Sequence, residues 1–203
     1  DHMWDGGPSY PNHGWDFAYG DDDPMDGHGH GTHCAGTIAG DGTAGCSTGV
    51  APDAIVMALK VLDDEGMGVE SDVWESIQFA IDNGVDVMSF SIGWMHMWNP
   101  DRASWRTTFE NALTAGLIAS VAAGNERQWG DPAPDNVRTP GDVPPPWLHP
   151  DQTLLGGLCD VVTAGATDIG DNYADFSSYG PVSWETIAPW LDYPYNPEMG
   201  LID

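Results

Sequence analysis

The sequence predicts an α/β fold: three layers, with a mostly parallel sheet flanked by helices, in one domain over residues 1–203. Three observations lead there. Between residues 54 and 123, near-continuous apolar runs alternate with amphipathic segments in units of about 30 residues, the pattern of strands joined by crossover helices. The 203 residues are 41% hydrophobic, enough for one sizeable core at about 150 residues per domain. No internal repeat or low-complexity block divides the chain.

The elements follow in order. Residues 1–29 are rich in Gly, Pro, Asp and aromatics, broken by Gly6-Gly7-Pro8 and Pro11-Asn12, and read as loop. A helix is predicted from His30 or Gly31 to about Ala39, stopped by Gly40 and Gly42. Residues 54–62 (AIVMALKVL) are almost wholly apolar, the mark of a strand buried on both faces. Residues 71–83 place Val73, Ile77, Ala80 and Ile81 at helical spacing; Ser71 offers an N-cap oxygen, Asp72 and Glu75 put negative charge in the first turn, and Gly84 suits a left-handed exit. Residues 85–91 predict a second strand, 103–115 an amphipathic helix ended by Gly116, 117–123 a third strand, and 160–166 a fourth that rejoins the sheet. The seven prolines of residues 127–157 mark an irregular surface excursion. Ligands gather at the carboxyl ends of parallel strands, so Ser91-Ile92-Gly93 and Ala123-Gly124-Asn125 are expected on one edge.

Charge excludes several function classes. Twenty-five Asp and seven Glu against one Lys and four Arg leave a net charge of −27. Phosphate binding needs clustered cations, whereas Lys60, Arg102, Arg106, Arg127 and Arg138 are scattered. Nucleic acid and anionic membrane surfaces are therefore not expected partners. No apolar stretch approaches the ~18 residues of a membrane span, and no export signal opens the chain. Cys34, Cys46 and Cys159 are an odd number at no metal-ligand spacing. The acidic balance resembles that of proteins adapted to high salt, where screening relieves self-repulsion.

Chemistry concentrates in Gly27-His28-Gly29-His30-Gly31-Thr32-His33-Cys34-Ala35-Gly36. One imidazole at a helix start can serve as general base to a nucleophile brought from elsewhere in the fold. Alternatively His28, His30 and His33 ligate a metal, since H-x-H-x-x-H resembles the signature of metallo-β-lactamase-like hydrolases. That family carries Asp before its third His, where this chain has Thr32.

Four motifs taken in order resemble the subtilisin-like serine protease family (peptidase family S8). They are His30-Gly31-Thr32-His33-Cys34-Ala35-Gly36, Gly49-Val50-Ala51-Pro52, Ala122-Ala123-Gly124-Asn125-Glu126 and Phe176-Ser177-Ser178-Tyr179-Gly180-Pro181. Gly14-Trp15-Asp16-Phe17 and the cysteine at position 34 resemble its thermitase and proteinase K side. The resemblance implies a subtilisin-like fold and peptide hydrolysis through an acyl-enzyme, with His30 as the base, Asn125 as the oxyanion-hole amide and His33 as a packed, noncatalytic histidine. It implies that Ser91, Ile92 and Gly93 pair with the substrate backbone and, with Ala123 and Gly124, wall the pocket for the residue before the cleaved bond. Gly93 and Gly124 leave room there for a large side chain, and no acid selects Lys or Arg, so an apolar or aromatic preference is expected. Cys34 is expected to be a packing residue.

The chemistry needs no cofactor. The resemblance also suggests structural calcium near Asp21, Asp22, Asp23 and Asp26, hard oxygen donors on a loop containing glycine and proline that otherwise read as a solvated run. The family's triad runs Asp, His, Ser. No D-[ST]-G turn precedes the histidine and no Gly-Thr-Ser run occurs, while Ser177 and Ser178 belong to another motif. The chain is therefore expected to be an internal fragment of a catalytic domain, incomplete at both ends, inactive alone and exposing apolar surface. Two other classes stay open: a non-catalytic peptide-binding or structural member of the family, and a metal-dependent hydrolase. The resemblance implies a secreted, monomeric protein acting on polypeptides.

Overall fold

The structure, a computed structural model, describes residues 2–43, 45–130, 136–144, 161–180, 182 and 184. Most of the proline-rich excursion and the start of the fourth predicted strand lie outside the described residues, as does Cys159. The chain falls into two compact units, Asp1–Phe79 and Ala80–Asp203. Each contains a parallel sheet and helices, as the α/β reading expects.

In the first unit, strands β1 (Gly14–Asp16) and β2 (Ala58–Lys60) pair in parallel, Gly14 opposite Ala58 and Asp16 opposite Lys60. β1 corrects the loop reading of residues 1–29. Three residues are too few to show alternation, and the pairing depends on a missing side chain: a Cβ on Gly14 would lie 1.7 Å from the Ala58 carbonyl oxygen. The preceding segment is held by Trp4 N donating to Val56 O at 2.8 Å and by aromatic packing on Phe79, with Tyr10, Phe17 and Trp4 at centroid distances of 5.0, 5.9 and 6.2 Å. Such pairs add about 0.5–1.5 kcal/mol beyond area burial.

β2 is shorter than the apolar run and only half-buried, with Ile55 73% exposed. Its partner offers three residues, and Lys60 ends the strand by pairing with Asp64 at 3.0 Å and Asp16 at 3.8 Å. Helix α1 (His30–Ala39) has the predicted bounds, and α2 (Glu70–Asp82) starts one residue before the predicted start. Ser71 thus lies inside α2, its hydroxyl 3.3 Å from Asp72 Oδ1, and is not the cap. Gly84 takes the left-handed exit at φ 70°.

In the second unit, β3 (Val87–Phe90), helix α3 (Arg102–Ala115), β4 (Ile118–Ala122) and β5 (Val161–Ala164) form a parallel sheet in the order β3-β4-β5. Asp101 caps α3 by accepting from the Ser104 amide and hydroxyl at 3.2 and 2.8 Å, and Gly116 ends it at φ 91°. One sheet face is buried through Met88, Phe90, Ala119, Val121 and Val161, with Trp105, Phe109 and Ala112 of α3 buried in the same unit. Phe90 meets Phe109 at 5.9 Å. The other face carries Val87, Ile118 and Val162, 61%, 43% and 51% exposed. Strands expected to be buried on both faces are therefore buried on one.

Candidate active site

The N-terminus of α1 is built on one carboxylate. Asp26 Oδ1 accepts from the amides of His28 and Gly29 at 3.0 and 2.8 Å, and Oδ2 from the Thr32 amide and hydroxyl, both at 2.7 Å. These donors, the Thr32 amide first and Gly29 next, hold the carboxyl far below the usual carboxylate range. Gly29, at φ 93°, turns the chain into the helix so that His30 is its first residue. The far end of α1 is capped by the Gly49-Val50-Ala51-Pro52 motif, whose amides at Gly49, Val50 and Ala51 donate to Gly40, Thr37 and Ile38 carbonyls at 2.7, 3.1 and 2.7 Å. Gly49 is required there, since a Cβ would come within 2.7 Å of the Ala39 amide nitrogen.

His30 is exposed, both ring nitrogens 4.0 Å from Cys34 Sγ and the His28 ring centroid 6.3 Å away. Among the described residues no carboxylate pairs with it. His33, expected to be packed, is exposed, and Cys34 is half-buried. No three His, Cys, Asp or Glu side chains converge as metal ligands among the described residues. The H-x-H-x-x-H reading therefore has no geometry behind it. In the acidic loop Asp26 is committed to α1, and Asp21 Oδ1 accepts from the Asp23 amide at 3.0 Å.

The remaining predicted residues lie in the second unit. β3 and β4 are adjacent and in register, Phe90 opposite Val121, so Ser91-Ile92-Gly93 and Ala123-Gly124-Asn125 leave the same sheet edge side by side. Gly124 sits at φ 113°, open to glycine and strained for other residues, and turns the chain sharply after β4. Asn125 follows, exposed, with no capping bond from its side chain to the short helical turn Glu126–Trp129.

Sequence reasoning missed what holds this corner. Glu126 is 1% exposed. Its Oε2 accepts from the Asn125 amide at 2.8 Å and lies 3.2 Å from the Ser178 hydroxyl, which itself accepts from the Glu126 amide at 3.1 Å. Its Oε1 pairs with Arg138, Nε at 2.7 Å and Nη2 at 2.6 Å, in a charge-assisted contact. Arg138 in turn donates its amide to Ala123 O at 2.9 Å, and Thr139 exchanges two backbone bonds with Trp94. Ser177 Oγ accepts from the Ala166 amide at 2.9 Å, so both hydroxyls of the pair are engaged in bonds within the fold. The segment carrying Arg138 is anchored further on by Asp142, 4% exposed, which faces Arg102 Nε at 3.5 Å and accepts from Trp184 Nε1 at 3.2 Å. Burial pushes the Asp142 carboxyl up, against the pull of Arg102.

The family model described as the subtilase family (peptidase S8) matches residues 5–194. This chain belongs to the subtilase family. Among curated relatives of this subtilase, serine protease AprX of Bacillus subtilis strain 168 is 33% identical over 178 residues, 82% of this chain and 38% of AprX. Thermitase of Thermoactinomyces vulgaris is 32% identical over 187 residues, 90% of this chain and 57% of thermitase. The chain thus spans a little over a third of one relative and just over half of the other. Among solved structures, the S41 psychrophilic protease superposes with TM-score 0.61 at 29% identity, covering 88% of this chain and 56% of that one. The subtilase fold and the recognition from four motifs stand.

Proposed function

We propose that this subtilase chain carries the base and the oxyanion donor of a serine endopeptidase that hydrolyses peptide bonds through an acyl-enzyme. His30 takes the proton of the attacking serine hydroxyl and returns it to the leaving amine. The Asn125 carboxamide donates to the oxygen that becomes negative in the tetrahedral intermediate, so it binds the transition state more strongly than the substrate. Ser91, Ile92 and Gly93 offer the edge on which an extended substrate aligns, with Ala123 and Gly124 opposite. The observation that supports this reading most is Asn125 itself: its carboxamide is exposed and caps nothing, while its backbone is pinned by Glu126 beside the edge where Ser91-Ile92-Gly93 emerges.

No Gly-Thr-Ser run occurs in the 203 residues, and Ser177 and Ser178 are engaged in bonding. As a separate polypeptide they are expected to form no acyl-enzyme. A second reading, a non-catalytic peptide-binding domain, draws on the absence of a carboxylate partner for His30 among the described residues. A secreted monomer acting on polypeptides remains the setting we infer from family membership.

The test uses the product of the whole gene. A fluorophosphonate should label it, and His30→Ala should abolish labelling. Asn125→Ala should lower kcat by about 10²- to 10³-fold with KM little changed, a magnitude established on subtilisin and not obtained from this geometry. Peptide binding without labelling would establish the non-catalytic reading instead.

A further inference from the structure

The two glycines expected to open a wide pocket face one side chain. A Cβ on Gly93 would lie 2.9 Å from Arg138 Cβ and 3.4 Å from its Cδ; a Cβ on Gly124 would lie 3.0 Å from Arg138 Cγ. The arginine stem therefore lies against both glycines, at the ends of adjacent strands. It is fixed there at both ends, by its own amide on Ala123 O and by its guanidinium on Glu126, 2% exposed at the side chain, with Nη1 3.4 Å from Gly93 O. Swinging it aside would leave the Glu126 carboxylate buried without its counter-ion, a cost that equals or exceeds what burying one substrate side chain returns.

We propose that Arg138 is the specificity-determining residue of this subtilase, closing the pocket to aromatic and long side chains so that it takes short ones such as alanine before the cleaved bond. This rests on the proteolytic reading above and replaces the wide-pocket expectation. Glu126 occupies two guanidinium nitrogens of Arg138, so the pair offers no net charge to an acidic substrate residue. The −27 charge of the chain disfavours such a substrate as well.

The experiment compares kcat/KM of the whole-gene product on matched fluorogenic peptides with Ala, Phe, Glu or Lys before the scissile bond. The Ala peptide should lead Phe by about 10-fold or more, within the range that a few pocket atoms supply. Arg138→Ala alone would strand the Glu126 charge, so the variant is Glu126→Gln with Arg138→Ala. It should raise the Phe/Ala ratio by about 10-fold or more. A ratio taken within one variant cancels any general loss of rate, and a merely structural role for Arg138 would leave it unchanged. Preference of the wild type for Phe, Glu or Lys, or an unchanged ratio in a folded variant, overturns the proposal; should the variant not fold, the wild-type profile alone decides. An enzyme that cleaves none of the peptides and takes no fluorophosphonate has instead lost the proteolytic reading itself.

Discussion

Asp26 concentrates four hydrogen bonds on one carboxylate at the start of the helix that begins with His30. Asp26→Ala removes them all and takes negative charge from a helix N-terminus, so it should cost about 1–2 kcal/mol, read as a shift in denaturant midpoint. Because the folded carboxyl is held below its unfolded value of about 3.9, its contribution is complete above that pH and is lost as pH falls through and below it. The stability difference between Asp26→Ala and wild type should therefore shrink on acidification below about pH 4. A difference that stays constant from pH 6 to pH 3 would show that the carboxylate does not hold the turn. At the same scale, the Glu126 carboxylate accepts from the backbone amide of Asn125 and so holds the main chain of the residue we propose as the oxyanion donor.

Elements were legible in proportion to their length and their punctuation. The helix His30–Ala39 and the exits at Gly84 and Gly116 were readable because glycine alone takes those turns cheaply, and the β3 and β4 edge because apolar runs fix strand position. β1 was invisible, since its pairing depends on a close approach at Gly14 that leaves no periodic mark. Of the proposed site, family motifs in the sequence marked His30, Asn125 and the segments Ser91-Ile92-Gly93 and Ala123-Gly124, and the structure tests only that the two segments leave the sheet side by side. The sequence hid Arg138 and Ser178, which meet Glu126 across 12 and 52 residues, and no local pattern encodes such a meeting. The segment carrying Arg138 depends on Asp142, whose loss would leave Arg102 buried without its carboxylate. Asp142→Ala should therefore destabilise by about 3–5 kcal/mol, whereas an exposed change in a helix such as Glu75→Ala should stay within about 0.5 kcal/mol. Equal melting temperatures for the two variants would dismiss the anchor.

Across the whole chain the few cations are used internally: Lys60 on Asp64, Arg102 on Asp142, Arg138 on Glu126, with Arg127 over the Tyr179 ring at 5.4 Å. The surface is left with almost unopposed negative charge. That repulsion competes with the bare sheet face of Val87, Ile118 and Val162. In dilute buffer repulsion acts over a Debye length of about 30 Å at 0.01 M salt, but only about 3 Å at 1 M. The isolated 203-residue polypeptide should therefore scatter more light as sodium chloride rises, and bind a hydrophobic dye throughout. Scattering that stays flat or falls as salt rises would mean that charge repulsion is not what holds the exposed faces apart. The same open strip has a practical corollary. Air bubbles and plastic walls offer it a dry surface, so gentle shaking should deplete the polypeptide from solution, and a trace of non-ionic surfactant should keep it there.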